Sequence, residues 1–375
     1  MKVAPILRAL KAAGDEVILV HTGQHYDAQM SDAFFTDLGM PEPDRYLDVG
    51  SASHAVQTAR VMEAFEPVLL ETRPEWVVVV GDVNSTLACA LVAAKLKAET
   101  GCRIAHVEAG LRSGDWRMPE EINRVLTDRV SDLLLVPSRD AVGNLEAEGL
   151  PAERIVFAGN VMIDSLLQQI EAARRLDVPG SLGLRAREYV VVTLHRPSNV
   201  DTRPSLETIL EALNRIGKRM PVVFPVHPRT RKQVELFGLE ALLDGILTLD
   251  PLGYRDMMGL VDGAAAALTD SGGLQEETTV LGIPCVTLRE QTERPITITH
   301  GTNRMAPWPL TVEGIVTTLD DALSKRSEPR RPEGWDGSAA QRIVRALRIG
   351  SATADPGVTR PADRRASGNR AAGTA

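Results

Sequence analysis

Apolar runs of strand length recur along this chain, each closed by a polar turn and followed by a segment whose apolar residues return at helical spacing. The runs at 16–21, 76–80, 103–107, 133–137, 154–158, 188–194, 221–226, 245–249 and 264–269 read as strands, several of them apolar on both faces like parallel strands buried between helices. Helical periodicity marks 3–13, 51–72, 312–324 and 337–349. Strand-helix alternation over 375 residues predicts two α/β domains rather than one core. The stretch at 176–187, with Pro179, Gly180 and Gly183, reads as the linker between a first domain at 1–175 and a second at 176–336. A closing helix at 337–349 follows. From 350 to 375 large apolar residues almost vanish, and a disordered tail is predicted there.

With 42 Lys and Arg against 50 Asp and Glu, the net charge of −8 disfavours nucleic acid and membrane surfaces as partners, while still allowing a local basic pocket. Cys89, Cys102 and Cys285 have no metal-ligand spacing and read as buried thiols in a reducing compartment. No signal peptide or apolar run of membrane length is seen, so a cytoplasmic location is expected.

Ligands of open parallel sheets bind at the carboxyl ends of strands, so residues just after each predicted strand are the first candidates for chemistry. Asp82 follows 76–80 in the motif GDVNST, where Asn84 or Ser85 is available to cap the next helix and leaves Asp82 free. Glu108 follows 103–107 in HVEAGLRSGD and has no cap to make. Pro119 then opens a helix with Glu120 and Glu121 in its first turn, where a glutamate ordinarily complements the dipole, the reading given to Glu121. Asp82, Glu108 and Glu120 are expected to converge on one rim, as grouped carboxylates whose pKa values are pushed apart for acid and base roles. His195, with Arg196 beside it, follows 188–194 and His227 follows 221–226; His195 is the expected diphosphate partner.

The chain is organised around 264–294. A buried strand there runs into Asp270, Ser271, Gly272 and Gly273 and then into the helix-like LQEETTVL. Glycines at such a turn let a ligand approach the backbone, and the N–H groups of the first helical turn face an anion with the positive end of the dipole. An isolated SGG reads more plainly as a turn with Ser271 as a cap. Here an acidic helix face and a following TERP accompany it: Glu277 is placed to accept from ribose hydroxyls, and Arg294 brings a fixed positive charge to a diphosphate. In DPLGY, at 250–254, apolar residues are placed to flank a base.

Taken in order, GDVNST, HVEAGLRSGD with MPEEINR, GNVMID, TLHR, FPVHPRT, DPLGY, TDSGGLQEE and TERP resemble the non-hydrolysing UDP-N-acetylglucosamine 2-epimerases of bacteria and archaea, over about residues 2–349. The resemblance implies a GT-B-like pair of Rossmann-like domains facing a central cleft that holds the nucleotide sugar. It also implies a homodimer, no metal and no nicotinamide or other cofactor. The family's catalytic carboxylates match Asp82, Glu108 and Glu120, and its cleft histidine matches His195. Its UDP-binding turn matches Ser271, Gly272 and Gly273, its ribose-binding glutamate Glu277, its phosphate-side arginine Arg294, its uracil-flanking positions Leu252 and Met257, and the lysine after its amino-terminal motif Lys2.

The implied reaction removes the C2 proton as UDP leaves C1, then returns both with inversion at C2. A hydrolysing epimerase that releases N-acetylmannosamine and a GT-B glycosyltransferase share the same nucleotide seat and stay open on these residues. Members of the family begin with a strand and a Gly-Thr-Arg-Pro-Glu turn ahead of the lysine, and the expectation is a natural start upstream of Met1. The TGQHYD loop at 22–27 differs from the AQHR form of members activated by their own substrate, so such activation is not expected.

Overall fold

A computed structural model describes residues 1–23, 37–324 and 330–353, with side chains to 350. The expected TGQHYD loop and most of the expected tail lie outside these residues. The described strands are β1 (Val20–His21), β2 (Arg45–Tyr46), β3 (Trp76–Val80), β4 (Arg103–Val107), β5 (Leu133–Val136), β6 (Ile155–Phe157), β7 (Val190–Thr193), β8 (Val222–Pro225), β9 (Leu247–Leu249), β10 (Ala266–Thr269), β11 (Cys285–Thr287) and β12 (Asn303–Met305). All pairings are parallel, in a four-stranded sheet β3-β4-β5-β6, a six-stranded sheet β12-β11-β10-β7-β8-β9 and a two-stranded pair β1-β2.

Every residue of β5, β8, β10 and β11 is buried, which is why their sequences are unbroken apolar runs. The structure corrects two predictions of strand content. Of the run at 16–21 only Val20 and His21 pair, and three strands were not expected: the two-residue β2, the three-residue β11, and β12, whose Asn-Arg start has no apolar signature. In the six-stranded sheet the order reverses between β7 and β10, a topological switch point whose carboxyl-end crevice is where ligands bind in doubly wound folds.

The closing helix runs over Ala339–Thr353, so the first four residues assigned to the tail, 350–353, are helical. Asp164 caps it by accepting from the backbone N–H groups of Ala339 at 3.1 Å and Ala340 at 2.7 Å. Its Ile343, Ala346 and Leu347 pack with Ile6, Val107 and Leu135, so the end of the chain returns to the four-stranded sheet. The return needs Gly159, at φ +85°, because a Cβ there would sit 2.1 Å from the Gly334 carbonyl oxygen.

Candidate active site

The switch point is built by β7 and β10, whose last residues Thr193 and Thr269 join hydroxyls at 2.6 Å. Just beyond, fully buried Asp270 accepts from the backbone N–H of His195 at 3.0 Å and of Arg196 at 2.9 Å, and from the Asn199 amide at 3.2 Å. Its other oxygen lies 2.8 Å from His195 Nδ1, which fixes the imidazole with its outer edge 38% exposed. Burial alone would push the Asp270 carboxyl up, but the His195 hydrogen bond and charge hold it below its ordinary value.

Ser271 is the residue ahead of the Gly272–Leu281 helix, yet its hydroxyl makes no capping bond, so the cap does not consume it. The glycines serve packing. A Cβ on Gly272 would meet Glu293 Oε1 at 2.7 Å, and one on Gly273 would meet Met162 Cε at 2.9 Å, so protein side chains, not only a ligand, require their bareness. Arg294 is buried under this turn with Nε 2.9 Å from Glu276 Oε1 and Nη1 3.0 Å from Glu293 Oε1. Burial pushes Glu276 up to about 7 against the pull of Arg294, whereas Arg294 and Arg289 hold Glu293 far below the carboxylate range despite its burial. Glu277, also buried, accepts from the Tyr254 hydroxyl at 2.9 Å, and burial pushes it up to about 8. Leu252 and Met257 are partly buried against the apolar cluster that holds Tyr254 and Met258.

Asp82 and Glu108, just past β3 and β4, lie within electrostatic reach of Arg294. Glu108 adopts φ +70°, a left-handed conformation that is uncommon outside glycine and clusters at functional sites. It is 3% exposed, pairs with Lys2 Nζ at 2.5 Å, and leaves Oε1 without a hydrogen bond. Asp82 is a quarter exposed and lies 3.4 Å from Arg124 Nη1. The expected cap at Asn84 is not made; its side chain instead accepts from Asn123 and donates to Gln57, and Val83 occupies the cap position. Glu120 reaches across to Arg196 Nη1 at 3.1 Å, and Arg196 in turn lies 3.9 Å from Glu293.

Glu121 does more than complement the helix dipole. It is 2% exposed and ties down the preceding loop by accepting from Ser113 N at 3.0 Å and Gly114 N at 2.8 Å. Sequence reasoning also passed over Arg124, Arg289, Glu276 and Glu293. Arg124 lay within MPEEINR with no assigned charge partner, Arg289 lay between the motifs, and the acidic pair was read only as a helix face and a loop.

Across the interface, charges therefore alternate from Glu120 through Arg196, Glu293 and Arg294 to Glu276, with Lys2 and Glu108 beside them. Many of these buried groups lack a full hydrogen-bond complement, among them all three Arg124 guanidinium nitrogens, Glu108 Oε1 and Glu276 Oε2. Such orphaned atoms are rare in interiors unless a ligand or water completes them. Such a row of carboxylates and buried cations has the groups for proton transfer and for meeting an anion. Among the described residues no His, Cys, Asp and Glu group could hold a metal ion.

The family description "UDP-N-acetylglucosamine 2-epimerase" matches residues 8–348. A UDP-N-acetylglucosamine 2-epimerase of Methanococcus maripaludis is 39% identical over 92% of this chain and 94% of its own length. A UDP-2,3-diacetamido-2,3-dideoxy-D-glucuronate 2-epimerase of Pseudomonas aeruginosa is 46% identical over 88% and 90%. The crystal structure of Methanocaldococcus jannaschii UDP-GlcNAc 2-epimerase in complex with UDP-GlcNAc and UDP superposes with a TM-score of 0.86 at 39% identity, covering 93% of this chain and 96% of that one.

Proposed function

Because the chain belongs to the UDP-N-acetylglucosamine 2-epimerase family, we propose that it interconverts UDP-N-acetylglucosamine and UDP-N-acetylmannosamine. The observation that supports this reading is that Asp82 and Glu108 lie within electrostatic reach of the buried Arg294, while Glu120 pairs with Arg196 at 3.1 Å. A carboxylate takes the C2 proton, the C1–oxygen bond to UDP breaks with its electron pair going to the diphosphate, and a C1–C2 double bond forms. A proton then reaches C2 from the other face while the diphosphate oxygen rebonds to C1. Two faces need more than one acid or base, which gives three carboxylates work to do. Charge growing on the β-phosphate is met by the helix N-terminus, Arg294 and His195, all held in place before reaction. In the same reading Glu277 binds the ribose, Leu252 and Met257 flank the uracil, and Lys2 orients Glu108.

Incubation with UDP-N-acetylglucosamine in deuterated water, followed by proton NMR, should show UDP-N-acetylmannosamine with deuterium at C2. Recovery of the starting sugar with its C2 proton intact would refute the reading. The 46% identity to the diacetamido-glucuronate epimerase favours a second substrate of the same reaction class, a sugar carrying a 3-acetamido group and a 6-carboxylate. Ranking kcat/KM for the two nucleotide sugars decides between them.

The working unit we propose comprises a domain at 1–175 joined by the closing helix, a domain at 176–336, and the cleft between. A homodimer is supported by exposed Val56, Ile122 and Leu126, on two helices of the first domain that both pack against the Asn84–Lys95 helix. Light scattering at twice the chain mass is the expected result. Three unpaired, buried thiols support a cytoplasmic setting, and no described helix is long and apolar enough to cross a membrane.

A further inference from the structure

One buried ion pair is tied to the segments that bear the three carboxylates and takes no part in the reaction just described. His106, in β4, is fully buried with Nδ1 2.6 Å from Asp128 Oδ1 and Nε2 2.9 Å from the Gly81 carbonyl oxygen. The Gly81 carbonyl can only accept, and Asp128, kept ionised beside Arg112 and the Gly110 N–H, accepts as well, so both ring nitrogens carry protons and the ring is an imidazolium. The charges around it agree. Although burial opposes it, Asp128 and its hydrogen bond raise the His106 pKa, and His106 and Arg112 lower that of Asp128.

The pair reaches every segment that bears a reacting carboxylate. The Gly81 carbonyl immediately precedes Asp82. Asp128 Oδ2 accepts from Gly110 N at 3.0 Å, two residues past Glu108, and faces Arg112 at 2.7 Å. Arg112 is itself clamped by both oxygens of Glu148 at 2.6 and 2.8 Å. Asp128 also sits on the Pro119–Val130 helix, whose first turn carries Glu120. We propose that His106, held as a cation between Asp128 and the Gly81 carbonyl, is a positioning residue that sets the mutual placement of Asp82, Glu108 and Glu120.

Stability alone is a poor reason for this arrangement, since well-packed apolar residues commonly replace a buried ion pair without loss. Geometry is a better one. Misplacing a reacting group by about 1 Å costs roughly 10²-fold in rate. The inference rests on the reading that the three carboxylates move the C2 proton.

Nitrogen-15 NMR of histidine-labelled protein tests the charge directly, with the His106 resonances assigned by their loss in H106N. Both ring nitrogens should keep imidazolium shifts from pH 6 to 9; a neutral tautomer in that range overturns the proposal, and the wild-type spectrum alone shows it if H106N fails to fold. In kinetics, H106N should lower kcat by about 10²-fold with UDP affinity within twofold. Asp128, Arg112, Glu148 and Glu108 are the charged groups facing the ring pair. Asp128→Asn removes the partner that raises the imidazolium pKa, so the alkaline fall in kcat should move to lower pH; an unmoved limb overturns the proposal. D82N, E108Q and E120Q serve as the separate check. If they are inactive and H106N retains full kcat, the positioning role fails while the carboxylate reading stands. If all three retain kcat, the carboxylate reading itself is wrong.

Discussion

Glu277 shows what a residue's surroundings do to its chemistry. Its identity and place one helical turn into 272–281 were legible in the sequence, and they suggested an ionised acceptor. Its protonation was not legible, because that depends on Tyr254 and on burial assembled from distant parts of the chain. With burial raising the carboxyl from an ordinary 4.5 to about 8, the folded state holds a proton that the unfolded state gives up from about pH 4.5 upward. Stability from this group is therefore full below 4.5 and lost as the pH rises towards 8, and Glu276, pushed up to about 7, adds to the same slope. Urea midpoints of the substrate-free protein between pH 5 and 8.5 should fall with rising pH, and E277Q should flatten the fall. Equal slopes in the two proteins would mean that Glu277 is ionised in the fold. The same limit applied to Glu121. A first-turn glutamate looks like a dipole complement until the loop it secures, 113–114, is seen folded over it.

Among the elements, the strands buried on both faces were the readable ones, because β5, β7 and β10 must be almost wholly apolar to lie between helices, apart from the paired Thr193 and Thr269 at their ends. The edge strand β9 is largely exposed, and β12, at the other end of the same sheet, has a half-polar sequence whose register its neighbour decides. Helix ends behave alike. The His54–Thr72 helix begins after Ser53, which accepts from Val56 N, three residues inside the predicted boundary, and it stops at Arg73, which takes φ +43° with no glycine to make that easy. The left-handed turn is imposed by the chain's need to enter β3. Arg73→Gly should therefore stabilise the protein by about 0.5–1 kcal/mol, since glycine removes the Cβ conflict of that conformation. Thermal or urea denaturation is the measurement, with epimerisation unchanged because Arg73 lies at the far end of β3 from Asp82. A destabilised R73G would show that the arginine side chain contributes more than its backbone costs.

At the scale of the molecule, the two sheets were predictable as separate bodies but their meeting was not. Arg196 and Glu120 lie 76 residues apart, and no local pattern pairs them. The chain crosses between the bodies twice, at the linker and again where Trp335 donates to the Pro137 carbonyl at 3.1 Å before the closing helix. Two crossings restrict the bodies to a hinge-like motion, in which groups that bridge the cleft set how far it stays shut. Arg196 is such a bridge, joined to Glu120 at 3.1 Å with about a fifth of its side chain exposed. A partly exposed ion pair contributes up to about 1 kcal/mol, roughly fivefold in a closed-to-open ratio. Arg196→Met should thus increase the radius of gyration of the nucleotide-free protein in small-angle scattering, and addition of UDP should restore the wild-type value as the nucleotide draws the two faces together. The KM for the nucleotide sugar should rise by no more than about fivefold with kcat largely kept, because closure, not proton transfer, is what has been weakened. An unchanged radius of gyration would mean that apolar packing between the bodies holds the cleft, and that the charge row serves the ligand alone.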